Sequence, residues 1–303
     1  MRWLAGVLLC VALAGCGGSG GGHGRTEPDL AGARVLAEHR VAPRELDLTI
    51  RSPALGRDAT VRLLEPDRGS LPYPVLYLLH GCCDSYQSWT RSTDVARMPG
   101  LRGTLVVMPE GGQVGFYSDW LRGPGWESFH TQELPALLGR YGAGKAYAIA
   151  GLSMGGLGAI DYAARHPRLF RAAASFSGVL HPLQEPRVWL GLIGAYEPDP
   201  KALWGDPRAD RRVWAAHDPT ELAGRLRGTR LYVASGDGRP PGGGRRDGTE
   251  VIVGRESRAF AARLRELGIR FHADLYRGGR HDWPYWERDL RRALPMLLGG
   301  ARR

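Results

Sequence analysis

The sequence predicts an α/β domain in which a mostly parallel central sheet is flanked by helices, and three observations carry that prediction. Short apolar runs recur along the chain with helix-like segments between several of them, the pattern of strands joined by crossovers. Two runs, 75–79 and 146–150, are apolar without a break, as strands buried on both faces are. Glycine-rich and polar groups follow directly on such runs, at the strand ends where open α/β sheets bind their ligands.

Taken in order, the chain begins with a targeting segment. Arg2 precedes an apolar stretch over 3–13 that is too short to cross a bilayer. It closes on Leu13-Ala14-Gly15-Cys16, which resembles the lipobox of bacterial lipoproteins, where the cysteine becomes the lipidated first residue. Residues 1–15 are therefore expected to be a lipoprotein signal peptide. Residues 16–33 are expected to carry a lipid anchor at Cys16 and a flexible Gly/Ser-rich tether. The α/β domain is expected over 34–303. Leu46, Leu48 and Ile50 alternate as in a half-buried strand and 61–64 follows, predicting an antiparallel hairpin at the start. Further strands are expected at 75–79, 105–108, 146–150, 172–176, 231–234 and 272–276. Residues 257–267 predict a helix with Phe260, Leu264 and Leu267 on one face. Residues 179–220, rich in Pro, Trp and Asp, read as a cap-like insertion over the ligand-binding edge.

The formal charge of +10 is carried almost wholly by arginine, since only Lys145 and Lys201 are lysines. The arginines are scattered and no nucleic-acid-binding motif accompanies them, so no nucleic-acid partner is expected. Cys10 leaves with the signal and Cys16 takes lipid, which leaves Cys82 and Cys83. Neighbouring Cα atoms lie about 3.8 Å apart, closer than disulfides prefer, so two free thiols are expected. Neither cysteine has a ligand partner at metal-binding spacing, and no metal or organic cofactor is expected.

The chemistry centres on Ser153. It sits in Gly151-Leu152-Ser153-Met154-Gly155, between the 146–150 strand and a helix-like stretch over 156–166. In that context G-x-S-x-G describes a nucleophile elbow, with the hydroxyl lifted above the sheet and helix N–H groups behind it. A serine nucleophile needs a base and a carboxylate that orients the base. The α/β-hydrolase order is serine, acid, histidine, and His281 lies beyond the last strand where the base belongs. Among the other histidines of the domain, His166, His181, His217 and His272 occupy less suitable contexts, and His130 falls within a helix-like stretch. Two acids stay open on this reading: Asp237, at a strand end, and Glu250, thirteen residues further on. The backbone N–H of Met154, paired with that of Cys82 after the 75–79 strand, is expected to form the oxyanion hole.

These motifs resemble the esterase D superfamily and, within it, the secreted mycolyltransferases of actinobacteria. The resemblance runs from about Val75 to Leu294. It is carried by Leu78-Leu79-His80-Gly81, 108–113, 116–120, the elbow, His217-Asp218-Pro219-Thr220, Gly236-Asp237-Gly238 and 281–286. It implies Glu250 as the acid, from its ten-residue spacing to Phe260, with Asp237 held in reserve, and it implies Cys82 and Met154 as oxyanion donors. One segment departs from the family, which typically carries Asp-Gly-Leu-Arg where this chain has His80-Gly81-Cys82-Cys83. There the aspartate and arginine help hold a trehalose acceptor.

The expectation is an extracytoplasmic, membrane-anchored serine esterase or acyltransferase acting on a small-molecule, lipid or glycan acyl ester. Two alternatives stand beside it. One is a carbohydrate-ester hydrolase of acetyl or feruloyl type, with Trp89, Trp120 and the tryptophans of 179–220 stacking on sugar. The other is a non-catalytic wall-binding lipoprotein on a hydrolase scaffold.

Overall fold

A computed structural model describes residues 32–239 and 242–299. The targeting segment, Cys16 and nearly all of the 16–33 tether lie outside the described residues. Three antiparallel strands come first: β1 (Arg34–Ala42), β2 (Glu45–Ser52) and β3 (Arg57–Leu64). Six more follow: β4 (Tyr73–Leu79), β5 (Leu105–Pro109), β6 (Ala143–Leu152), β7 (Phe170–Phe176), β8 (Arg230–Ser235) and β9 (His272–Leu275). One sheet holds them in the order β1-β2-β3-β5-β4-β6-β7-β8-β9. β3 meets β5 antiparallel, and every pairing from β5 across to β9 is parallel.

The central strands read as unbroken apolar runs because both faces of the sheet are covered. Four helices matter most: α1 (Met154–Arg165), α2 (Pro186–Gly194), α3 (Gly248–Glu266) and α4 (Trp283–Leu298). Along β4, Val75, Tyr77 and Leu79 point into a core shared with Leu157 and Ile160 of α1 and Phe260 and Leu264 of α3. Leu76 and Leu78 point the other way, into a core with Leu290 and Leu294 of α4, as the two-residue period of a strand demands. Each large apolar side chain so buried contributes about 1.5–3 kcal/mol.

β1 was not expected, because the apolar alternation begins only at Leu46. It lies at the sheet edge with most of its residues exposed, so neither face selects apolar residues and no periodic signal forms. Residues 179–220 fold as short helical segments, and among the described residues no strand falls there. Trp189, Trp204 and Trp214 turn inward, and Trp89 and Trp120 are buried as well. These tryptophans are core, not a surface on which a sugar could stack.

Candidate active site

Ser153 is held in a forced turn. β6 ends at Leu152 and α1 starts at Met154, which leaves Ser153 between them at φ 52°, ψ −119°. Such a sparsely populated conformation costs about 1–3 kcal/mol and persists only where its surroundings impose it. Here the Ser153 N–H donates to the Phe176 carbonyl at 3.0 Å, and the Ser153 carbonyl accepts from Gly156 and Val179. The flanking glycines are steric necessities. A Cβ on Gly151 would strike the Gly155 carbonyl, and one on Gly155 would lie 2.5 Å from the carbonyl of His80.

His281 is brought to Glu250. Its Nδ1 lies 3.0 Å from Glu250 Oε2, and its ring meets Trp286 edge-on with centroids 5.0 Å apart. Glu250 is fully buried in the first turn of α3. Its Oε1 accepts from the Gly236 N–H at 2.6 Å and from the hydroxyls of Ser177 and Ser235, each at 3.0 Å. Burial pushes this carboxyl up, but the hydrogen bonds from His281, Gly236 and Ser177 outweigh it and hold the group below its ordinary value. Glu250 is therefore an ionised acceptor at neutral pH, suited to fix His281 in the tautomer that carries its proton on Nδ1 and to stabilise the imidazolium.

Asp237 is used differently. Its Oδ1 accepts from the backbone N–H groups of Arg239 and Gly278, and among the described residues no hydrogen bond links it to His281. It shapes the turn after β8.

Asp247 was missed by the sequence reading. Its Oδ1 caps α3 by accepting from the Glu250 N–H at 3.1 Å, and its Oδ2 accepts from the His281 N–H at 3.0 Å. One side chain thus ties the backbones of the histidine and its acid together. The signal was present as Asp247-Gly248-Thr249-Glu250, an N-cap residue with glutamate three positions on. Ser177 and Ser235 carried no comparable signal, since their role exists only where β7 and β8 end side by side.

The two residues expected to donate to an oxyanion, Cys82 and Met154, each adjoin the elbow. Gly81 lies against the elbow so tightly that a Cβ there would come 2.6 Å from Leu152 Cδ1 and 3.4 Å from Ser153 Cβ. Met154 opens α1, where no intrahelical acceptor exists for its N–H. Among the described residues the N–H groups of Cys82 and Met154 show no acceptor. The Ser153 hydroxyl likewise makes no hydrogen bond to His281 there, so serine and base share a strand edge without being bonded.

The two free thiols expected from the sequence are instead one bond: Cys82 and Cys83 form a disulfide with their Cα atoms 3.8 Å apart. Cys83 takes φ 66°, a left-handed turn that lets adjacent side chains meet where extended backbone would point them apart.

A second polar cluster lies away from this edge. Single ligand atoms of Glu127, Asp161 and His217, all buried, lie within 4.8 Å of one another, and this group could hold a metal ion. A fixed cation already stands there: Arg165 donates to both oxygens of Glu127, at 2.8 and 3.1 Å, and His166 Nε2 lies 2.7 Å from Oε1. Burial alone would push Glu127 up, but His166 and Arg165 bring it down to about 2.

The sequence profile of a family described as putative esterase matches residues 52–297. The chain is 33% identical over 276 residues to the diacylglycerol acyltransferase/mycolyltransferase Ag85B of Mycolicibacterium smegmatis, covering 82% of this chain and 83% of that one. Among solved structures, Mycobacterium tuberculosis MPT51 superposes with a TM-score of 0.72 at 28% identity, covering 86% of this chain and 100% of that one. A ferulic acid esterase superposes at 0.65 with 23% identity, over 84% of this chain and 97% of its own, a likeness of fold. The α/β-hydrolase fold expected from the sequence is borne out.

Proposed function

The chain belongs to the putative esterase family, and from that premise we propose that it is an extracytoplasmic serine esterase or acyltransferase working through an acyl-serine intermediate. The observation that carries this reading is the buried Glu250 carboxylate 3.0 Å from His281 Nδ1, on the strand edge that bears the Ser153 elbow. Ser153 Oγ attacks the ester carbonyl while its proton passes to His281 Nε2. The Cys82 and Met154 N–H groups receive the negative charge that develops on the carbonyl oxygen, a contribution of about 3–4 kcal/mol per donor. Collapse breaks the ester bond, and His281 returns the proton to the departing alkoxide. Water or an alcohol then repeats the sequence on the acyl-serine, so the same residues serve hydrolysis and transfer.

Relatives named as diacylglycerol acyltransferase/mycolyltransferase support an acyl ester as substrate. The departure at Cys82-Cys83 separates this chain from the trehalose-binding pattern, and the acceptor follows from assay. The lipobox at Cys16 supports a membrane-held protein outside the cytoplasm. The sugar-ester alternative loses its aromatic platform, since the tryptophans it invoked are buried.

The test is turnover of p-nitrophenyl esters from acetate to palmitate by the full chain and by Ser153→Ala, with and without trehalose or glycerol. Turnover that disappears in the variant supports the reading, and an acylated polyol identifies transfer. No turnover on any ester, with no fluorophosphonate labelling of Ser153, overturns it in favour of a binding protein.

A further inference from the structure

The disulfide stands at one of the two backbone N–H groups on which the proposed oxyanion hole depends. His80 and Gly81 leave β4 toward the elbow, and the next residue supplies the second oxyanion donor. Everything beneath that donor is tied down. The Tyr117 hydroxyl donates to the His80 carbonyl at 3.0 Å, and the His80 ring accepts from the Gly111 N–H at 2.9 Å. Beyond it, the Cys83 N–H donates to the Gln113 carbonyl at 2.8 Å. The bond between the Cys82 and Cys83 sulfurs spans the peptide that joins them. Cys83 sits at φ 66°, a conformation that only glycine adopts without a Cβ penalty. A cross-link between adjacent side chains holds such a turn where a free cysteine would leave it.

We propose that the Cys82–Cys83 disulfide is a redox-modifiable brace that positions the Cys82 N–H as an oxyanion donor, with thiol reductants as the class of molecule that acts on it. The inference rests on the serine-hydrolase reading above. Cys82 packs against the core while Cys83 is exposed, so an attacking thiolate reaches the bridge through the Cys83 sulfur. With a dithiol the step balances. The Cys82–Cys83 bond breaks, each sulfur ends with a proton, and the reductant's two thiols close into its own disulfide. The turn at Cys83 then relaxes and the Cys82 N–H loses its fixed aim. Disulfides persist outside the cytoplasm and are reduced within it, so a chain exported through its targeting segment gains full competence only after export.

The experiment uses the full chain purified without reductant, compared before and after dithiothreitol. Alkylation and mass analysis of the peptide containing Cys82 and Cys83 should show no added alkyl group before reduction and two after. Ester turnover should lose about tenfold in kcat with KM nearly unchanged, less than the hundredfold or more that follows loss of a whole donor. The rate of fluorophosphonate labelling at Ser153 should fall in step, the thermal midpoint should show that the fold persists, and reoxidation should restore both rates. Cys83→Ser should resemble the reduced protein and ignore dithiothreitol. Two free thiols in the untreated protein, or equal kcat in both redox states, overturns the brace while leaving the esterase reading intact. Absence of turnover and labelling in both states would instead sink the esterase reading itself.

Discussion

Among the described residues, three of the histidine–carboxylate contacts are made through Nδ1, look alike at the contact and differ in everything around it. His281 Nδ1 lies 3.0 Å from Glu250, His217 Nδ1 lies 3.1 Å from Asp161, and His181 Nδ1 lies 2.9 Å from Asp218. Asp218 is a structural cap that also accepts from the N–H groups of Leu183, Thr220 and Glu221. His217 is stacked flat on Trp204 with centroids 5.4 Å apart, and its Asp161 stands beside the Arg165–Glu127 ion pair. Of the three, His281 is the one that follows the last strand and whose carboxylate has its other oxygen filled by three donors. A hydrogen-bonded histidine is therefore weak evidence of catalysis, and position relative to the nucleophile decides.

Replacing residues of the site and of its lookalikes tests that contrast most severely. Ser153→Ala and His281→Ala should each reduce kcat on the order of 10^6-fold, the scale seen when a nucleophile or base is removed from a triad. His217→Asn and His181→Asn should leave ester turnover within about threefold of the parent while lowering the unfolding midpoint. If His217→Asn cost as much turnover as His281→Ala, the distinction between the pairs would collapse. The acids come next. Glu250→Gln should cost about 10^4-fold in kcat by losing the histidine's tautomer, whereas Asp237→Asn should stay within about tenfold, and the reverse ranking would return the acid to Asp237.

The same contrast explains what the sequence could and could not disclose. Ser153, Gly151 and Gly155 were legible because an elbow is a local object, specified by five residues between a strand and a helix. His281 was legible from chain order. That His281 would meet Glu250 rather than Asp237 was implied only by the family resemblance, since strand-end logic favoured Asp237 and only the folded chain brings Glu250 to Ser177 and Ser235 at the ends of β7 and β8. β1 was silent because an edge strand with both faces wet imposes no apolar pattern. The pairing of Cys82 with Cys83 depends on a left-handed φ at Cys83 that adjacent cysteines do not announce.

Two glutamates on α3 carry the contrast into pH. Glu250 is held below its ordinary value, so its contribution to stability is present above that value and is lost as pH falls through the depressed one. Glu256, fully buried two turns on, goes the other way. Burial raises it to about 7, and the hydrogen bonds from the His181 N–H and Trp189 Nε1 only partly offset this. Its protonated form is the stabilising one, fully effective below the ordinary glutamate range and lost as pH rises through about 7. The unfolding free energy should therefore decline between pH 5 and pH 8 by up to about 3 kcal/mol. Thermal melts across that window should show the decline in the parent and a flatter profile in Glu256→Gln. An equal slope in both would mean that Glu256 stays ionised throughout.

The smallest effect concerns the residue that binds the two halves of the site together. Asp247 accepts from the backbone N–H of Glu250 with one oxygen and from that of His281 with the other, so it fixes the separation of the two residues without touching either side chain. Asp247→Ala removes an N-cap, which costs about 1 kcal/mol of stability. It also frees the 278–282 loop, so kcat should fall about tenfold with little change in KM. Asp247→Asn separates the two roles, because asparagine caps a helix nearly as well as aspartate but has one carbonyl oxygen for two donors. It should recover the unfolding midpoint while kcat stays low. If Asn restored turnover along with stability, the cap alone would account for Asp247, and the geometry of His281 would owe nothing to the second hydrogen bond.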